Sequence, residues 1–197
     1  LAAFPRHALE TLLGKHGAQL HDYANGLDNS PVRPQHESEP VKSVGNGTTF
    51  PRNLTRWEEV RAGLSVLCDS VAGRLRRQQL YCSGVSLTIR DPQFRQFSHQ
   101  VRLDTPTHLQ QDIYRAALAL ARQSWHAPSP IRALTVTALY LTDSADSFQQ
   151  LDLLDSSAPQ RSDRRERLEQ AMDDIRRKYG KGAITFGNTG KLLDDDD

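Results

Sequence analysis

Hydrophobic and polar residues alternate along this chain in two rhythms, and their order predicts the fold. Residues 41–50, 85–90, 94–103 and 131–141 have the β-branched, aromatic or every-second-residue pattern of strands. Between the first and second of these stretches, and again between the third and fourth, apolar residues recur at every third or fourth position, as on amphipathic helices. The element order is therefore β-α-β-β-α-β.

This order predicts an α+β fold, in which a four-stranded antiparallel sheet carries two helices on one face, as in the ferredoxin-like arrangement. The first helix should bury one apolar stripe, and Thr55 with Glu58 has the spacing of a capping box at its start. Thr107 and Gln110 have the same spacing before the second helix. The buried stripe is Val60, Leu64, Leu67, Val71 and Leu75.

The sheet region is flanked by segments of different composition. A helical pattern already surrounds Leu1, so we expect a piece of a longer protein, and the first helices carry too little apolar surface to fold alone. A short helix at 164–179 could pack on its own chain, bind a partner or fray. The predicted segments are short helices at 1–28, a linker at 29–40, the sheet domain at 41–142 and a flexible tail at 143–197.

Charge is distributed unevenly, although the net charge of the 197 residues is only +1. Residues 40–142 contain 13 Lys and Arg against 6 Asp and Glu, whereas residues 143–197 contain 9 against 13. A basic middle followed by an acidic tail is typical of a nucleic-acid binder, and ordinary solvated surface charge is the alternative.

Other functional classes receive little support from composition. Cys68 and Cys82 are predicted to be buried thiols without a disulfide, and no Cys/His spacing resembles a zinc site. The 37% hydrophobic content includes no apolar run long enough to span a bilayer, so we expect a cytoplasmic protein.

The first predicted strand carries the most informative motif, Lys42-Ser43-Val44-Gly45-Asn46. Small residues allow another backbone to approach closely, and Lys42 and Arg52 place positive charge at both ends. Open strand amides between cations suit a phosphate backbone.

The sheet face without helices is the predicted DNA surface, with a merely solvated polar face as the alternative. Short hydroxyl and amide side chains can bind phosphate oxygens without reading bases. For His99 the alternative is a core or surface histidine without a role, since it has no partner at metal or catalytic spacing. The predicted DNA-binding residues are Lys42, Ser43, Val44, Gly45, Asn46, Thr48, Arg90, Arg95, Gln96, Ser98, His99 and Gln100.

These motifs resemble the Y-family DNA polymerases of the bacterial polymerase IV type. The stretch 42–46 resembles the first strand of their little-finger domain, 98–101 resembles its third strand more loosely, and 13–17 with 24–28 resembles the end of their thumb. The resemblance implies a little-finger fold that lies in the major groove and holds the template backbone. It also implies a monomeric parent enzyme, associated with the bacterial nucleoid, that catalyses nucleotidyl transfer in translesion synthesis and DNA repair.

A second motif resembles the peptide with which bacterial polymerases bind the sliding clamp. In such a peptide the glutamine contacts the rim of the clamp pocket and the leucines fill apolar clefts. An apolar segment that docks back on its own domain is the alternative. The predicted clamp-binding residues are Gln150, Leu151, Asp152, Leu153 and Leu154.

No stretch of the sequence matches the acidic palm motifs of these polymerases, a phosphate-binding glycine loop or a nucleophile–base pair. We therefore expect no cofactor and no catalysis here, and the resemblance implies that Mg²⁺ is bound in the palm of the parent enzyme. The rival predictions are a stand-alone nucleic-acid-binding module and a protein-interaction domain. An RNA-binding module would stack bases on exposed sheet aromatics.

Overall fold

The computed structural model describes residues 1–32, 34, 40–143 and 158–187. The chain divides into two compact units, Leu1–Pro40 and Val41–Asp197. Among the described residues, no helix combines the length and apolar character that crossing a bilayer requires.

The first unit contains two helices, α1 (Arg6–Leu13) and α2 (Lys15–Ala24), joined by Gly14. Gly14 has a φ of 63°, the left-handed conformation that glycine adopts without steric cost. Leu9 and Ala18 are buried, and the guanidinium of Arg6 donates to Asp22 at 3.1 Å. Most other apolar side chains of this unit are exposed, so its core is small.

The second unit begins with the predicted β-α-β-β-α-β order and adds a further helix. Strand β4 and strand β2 lie in the centre of the antiparallel sheet, and β1 and β3 are its edges, in the order β1-β4-β2-β3. The α+β fold class is confirmed, whereas the strand order did not follow from the element order. The elements are β1 (Ser43–Leu54), α3 (Trp57–Arg77), β2 (Leu80–Arg90), β3 (Gln96–Thr107), α4 (Gln110–Ser124), β4 (Ile131–Asp143) and α5 (Ala158–Tyr179).

Helices α3 and α4 cover one face of the sheet and form the core with it. All five residues of the predicted α3 stripe are fully buried, because their spacing of three and four places them on one side of the helix. Ile113, Ala117 and Leu120 do the same on α4. Cys68 and Cys82 are buried and unbonded, as predicted, and burial raises the pKa of the Cys82 thiol to about 12.

Both predicted capping boxes are wrong, because carboxylates at other positions bind the helix starts. At α3 the cap is Arg56, and Glu59 rather than Glu58 accepts from the amides of Thr55 and Arg56, at 2.9 and 3.1 Å. Helix α4 begins only at Gln110, whose amide donates to both oxygens of Glu169 at 3.0 Å.

Helix α5, which supplies Glu169, packs on the helix layer through buried ion pairs. Arg76 of α3 contacts Glu169 and donates to Asp173 at 2.6 Å, with only 6% of its side chain exposed. Arg176 forms a two-bond pair with Asp69 at 2.8 and 2.9 Å. Of the options left open by the sequence, packing on its own chain is the one observed.

Candidate nucleic-acid interface

The pairing register shows which side chains share the helix-free face, since directly paired residues of antiparallel strands point to the same side. Val85, Leu87 and Ile89 of β2 are buried under the helices, so the residues between them face outward. We call this outward side the open face. Its four rows across the sheet are Ser43–Leu139–Gly84–Arg102, Gly45–Thr137–Ser86–Gln100, Gly47–Thr135–Thr88–Ser98 and Thr49–Ala133–Arg90–Gln96.

The open face is a layer of hydroxyl and amide groups. The hydroxyl of Thr88 donates to that of Ser98 at 3.1 Å, and the hydroxyls of Ser86 and Ser98 lie 3.4 Å apart. The strand segments 43–49, 84–90, 96–102 and 133–139, which form it, contain no Asp or Glu. A face of this composition can donate hydrogen bonds to an anion without repelling it.

Some of the predicted DNA contacts lie on the helix side of the sheet, because they alternate along the strands with the open-face residues. Val44 is buried, and Asn46 and Thr48 share the helix side with Val136 and Leu134. His99 pairs with the buried Leu87 and so also points away from the open face. The prediction that Asn46, Thr48 and His99 belong to this face is therefore wrong, because the strand period of two separates them from Ser43, Ser98 and Gln100.

The glycines of the first strand have a structural reason for being small. A Cβ on Gly45 would lie 2.9 Å from Oγ1 of Thr137, and one on Gly47 would lie 2.4 Å from Oγ1 of Thr135. Both glycines therefore accommodate threonines of β4. The carbonyl of Gly45 also accepts from Arg74 Nη1 at 2.9 Å, which adds a cation from α3 to this edge strand.

Two of the predicted cations have local partners. With its amide oxygen turned toward Arg90, Gln96 accepts a hydrogen bond from Nε at 2.7 Å. Arg95 lies in the β2–β3 turn and donates to Asp91 at 2.6 Å. Burial acts to raise the pKa of Asp91, but the Arg95 guanidinium and two backbone amides outweigh it and lower that pKa. Arg90 thus contributes a cation to the open face, whereas Arg95 mainly stabilises the turn.

One cluster on the open face was missed by the sequence prediction. Tyr140 has a φ of 53°, and its ring lies over Gly84. The guanidinium of Arg102 lies 4.3 Å from the centre of this ring, and the amide of Gln100 donates to its hydroxyl at 3.4 Å. No sequence signal pointed to this cluster, because Tyr140 lies at a position where the strand alternation breaks.

The metal-binding and clamp-binding predictions concern residues apart from the open face. Within residues 1–32, 34, 40–143 and 158–187, no group of three or more His, Cys, Asp or Glu side chains could hold a metal ion. These residues therefore do not fit the Mg²⁺ site that the resemblance implies for the parent enzyme. The predicted clamp-binding motif, Gln150–Leu154, lies outside the described residues.

Comparison with known proteins identifies relatives for most of the chain. Residues 41–153 match the family model described as the impB/mucB/samB family C-terminal domain. The relative named DNA polymerase IV of Acetivibrio thermocellus is 34% identical over 89% of this chain and 43% of its own length. Those of Bacillus velezensis (DNA polymerase IV) and Bacillus subtilis (DNA polymerase IV 1) are each 32% identical, over 95% and 97% of this chain. The chain spans less than half the length of these relatives.

Proposed function

The chain belongs to the impB/mucB/samB family, the Y-family DNA polymerases of the polymerase IV type, and on this premise we propose that its open face binds the duplex of template–primer DNA. The observation that carries the proposal is an exposed sheet face with hydroxyls, amides and arginines and without a carboxylate. Contacts of this kind hold the sugar–phosphate backbone and tolerate any base sequence.

The spacing of two arginines supports a groove-wide contact. Arg90 lies on β2, and Arg102 pairs with Gly84, six residues along the same strand. At roughly 3.3 Å a residue, the backbone positions of the two arginines are about 20 Å apart along the strand direction. The major groove is about 12 Å wide, so a sheet of this length reaches the backbones on both of its sides.

The proposal extends to the parent enzyme in which such a domain would act. There it would hold the template and primer strands while residues elsewhere carry out nucleotidyl transfer, in translesion synthesis and DNA repair. The bacterial cytoplasm, close to the nucleoid, is the corresponding location.

A pair of charge substitutions on neighbouring residues tests the DNA-binding proposal. Ser98→Glu places a carboxylate on the open face, and His99→Glu places the same charge on the opposite side of the same strand. We expect Ser98→Glu to weaken binding to a duplex oligonucleotide by about tenfold or more, and His99→Glu to weaken it by less than about threefold. Fluorescence anisotropy at about 50 mM salt measures both affinities.

Equal losses in the two variants would contradict the assignment of the open face. Tighter binding of single-stranded RNA than of the duplex would favour the rival RNA-binding module. Complete indifference to oligonucleotides at low salt would favour a protein-interaction domain.

We also propose that Gln150–Leu154 binds the bacterial sliding clamp. The support is its resemblance to known clamp-binding peptides and its place just after the last strand. The variant with Gln150→Ala and Leu153→Ala should lose binding to a purified clamp and keep its affinity for duplex DNA. Clamp binding that survives both substitutions would show that the motif is not the contact.

A further inference from the structure

We propose that Tyr140 holds Arg102 in place as a fixed cation for one backbone phosphate of the bound duplex. This inference rests on the proposed DNA-binding function and assigns two residues that the sequence motifs did not include. It makes Arg102 a contact residue and Tyr140 its positioning residue.

The backbone of Tyr140 is the first observation. Ala138 and Leu141, three residues apart, both pack toward the core, so the strand alternation breaks between them. Tyr140 absorbs this break with a φ of 53°, a left-handed conformation that large side chains rarely adopt. Glycine or asparagine would adopt the same conformation at lower cost, so backbone stability does not account for a tyrosine.

The position of the ring is the second observation. The left-handed turn directs the ring onto the open face, where it covers Gly84. A Cβ on Gly84 would lie 2.6 and 2.9 Å from two ring carbons, so only glycine leaves room for the ring here. Even so, 42% of Tyr140 remains exposed, which is unlike an aromatic residue that serves the core.

The state of Arg102 is the third observation. Its guanidinium stacks 4.3 Å from the ring centre, which restricts a long side chain to one direction. Among the described residues it has no carboxylate within ion-pair distance, in contrast to Arg76 and Arg176. The edges of a stacked guanidinium still point outward and can donate two hydrogen bonds to one phosphate.

Neighbouring groups make the cluster continuous with the rest of the open face. Gln100 donates to the hydroxyl of Tyr140, and in the register it is the next open-face residue after Arg102. Ser98 and its hydroxyl partners follow beyond it. The cluster therefore forms one end of the same donor-rich surface.

The experiment measures both duplex affinity and unfolding stability on the 197-residue chain. Tyr140→Gly should change the stability little, because relief of the backbone strain offsets the lost ring contacts, and should weaken duplex binding about three- to tenfold. Arg102→Lys keeps the charge but loses the stacked, forked geometry, and should weaken binding to a similar extent. Tyr140→Phe keeps the ring and should retain most of the affinity.

Two further measurements distinguish a phosphate contact acting through Arg102 from other roles. Arg102→Ala should reduce the slope of log affinity against log salt by about one, and by the same amount for G·C-rich and A·T-rich duplexes. Adding Tyr140→Gly to Arg102→Ala should cause no further loss.

The outcomes separate this inference from the function on which it rests. A wild-type chain that ignores duplex DNA overturns both. A chain that binds DNA and loses affinity on Ser98→Glu, but not on Tyr140→Gly or Arg102→Lys, overturns only the inference. A loss confined to G·C-rich duplexes shows base readout and contradicts a phosphate contact.

Discussion

Arg76 on the helix side of the sheet and Arg102 on the open face have opposite environments. On the helix side, Arg76 is almost fully buried and contacts both Glu169 and Asp173. On the open face, Arg102 rests on an aromatic ring and Arg90 on an amide group, with no carboxylate within ion-pair distance among the described residues. The comparison teaches that pairing, rather than the number of charges, distinguishes a binding surface from a structural one.

This difference changes the meaning of the uneven charge along the chain. The sequence suggested a basic domain followed by a separate acidic tail. In the structure, Glu169 and Asp173 of α5 neutralise Arg76 of α3, and Glu169 also binds the first amide of α4. Part of the acidic segment is therefore integrated into the domain, while the open face carries Arg90 and Arg102 and no carboxylate in its four rows.

The largest expected effect is a loss of stability when the buried arginine of the helix side is removed. Arg76→Ala leaves Glu169 buried without its cation and should reduce the free energy of unfolding by about 3–5 kcal/mol. Urea denaturation measures the loss. Arg177→Ala removes the exposed Arg177–Asp174 pair within α5 and should change stability by less than about 0.5 kcal/mol. Similar values for both variants would mean that the buried cluster does not hold α5.

Added salt should weaken DNA binding by the open face and leave the stability of the helix side nearly unchanged. If Arg90 and Arg102 neutralise about two phosphates, raising the salt from about 50 to 200 mM should weaken duplex binding by about tenfold. The midpoint of thermal unfolding should change little over the same range, because buried pairs are weakly screened. Duplex affinity that is constant with salt would contradict phosphate binding by the open face.

Lowering the pH should reduce the folding stability that Glu59 contributes on the helix side. Burial acts to raise the pKa of Glu59, but hydrogen bonds from Arg52 and the amides of Thr55 and Arg56 outweigh it and lower the pKa to about 2. A lowered carboxyl pKa adds stability at neutral pH, and that stability is lost as the pH falls from about 4.5 toward 2.

Because the arginine partners of Glu59 are largely exposed, we expect it to contribute about 1–2 kcal/mol. The measurement is the free energy of unfolding at pH 7 and pH 3 for the wild type and for Glu59→Gln. The variant should be less stable at pH 7 and lose less on acidification. Identical pH dependence of the two proteins would exclude Glu59 as a source of the effect.

The smallest effect should come from one hydroxyl of the open face. Ser98→Ala removes a partner of Thr88 and Ser86 at an exposed position, so stability should change by less than about 0.5 kcal/mol. Duplex affinity should fall by about twofold, since one neutral hydrogen bond to phosphate is lost. If the free energy of unfolding falls by more than the free energy of duplex binding does, the main role of this hydroxyl is structural.

Local patterns predicted the framework, and contacts distant in sequence escaped prediction. The α3 stripe and the strand alternation of β2 are signals within a few residues, and both are confirmed. Glu169 binds an amide 59 residues away, and the hydroxyl of Tyr140 lies 40 residues from Gln100, so no nearby pattern could indicate either. His99 differs for a local reason, because the strand period of two places it opposite the neighbouring Ser98 and Gln100 although all three are polar.

The partnership of Arg76 with α5 has a practical consequence for how this domain is delimited. The family match ends at residue 153, but the carboxylates that neutralise the arginine follow at Glu169 and Asp173. A recombinant polypeptide that ends at the family boundary would leave the guanidinium of Arg76 without a carboxylate and the first amide of α4 without an acceptor. We expect it to be less soluble. The unit for expression and crystallisation should therefore include α5, through Tyr179.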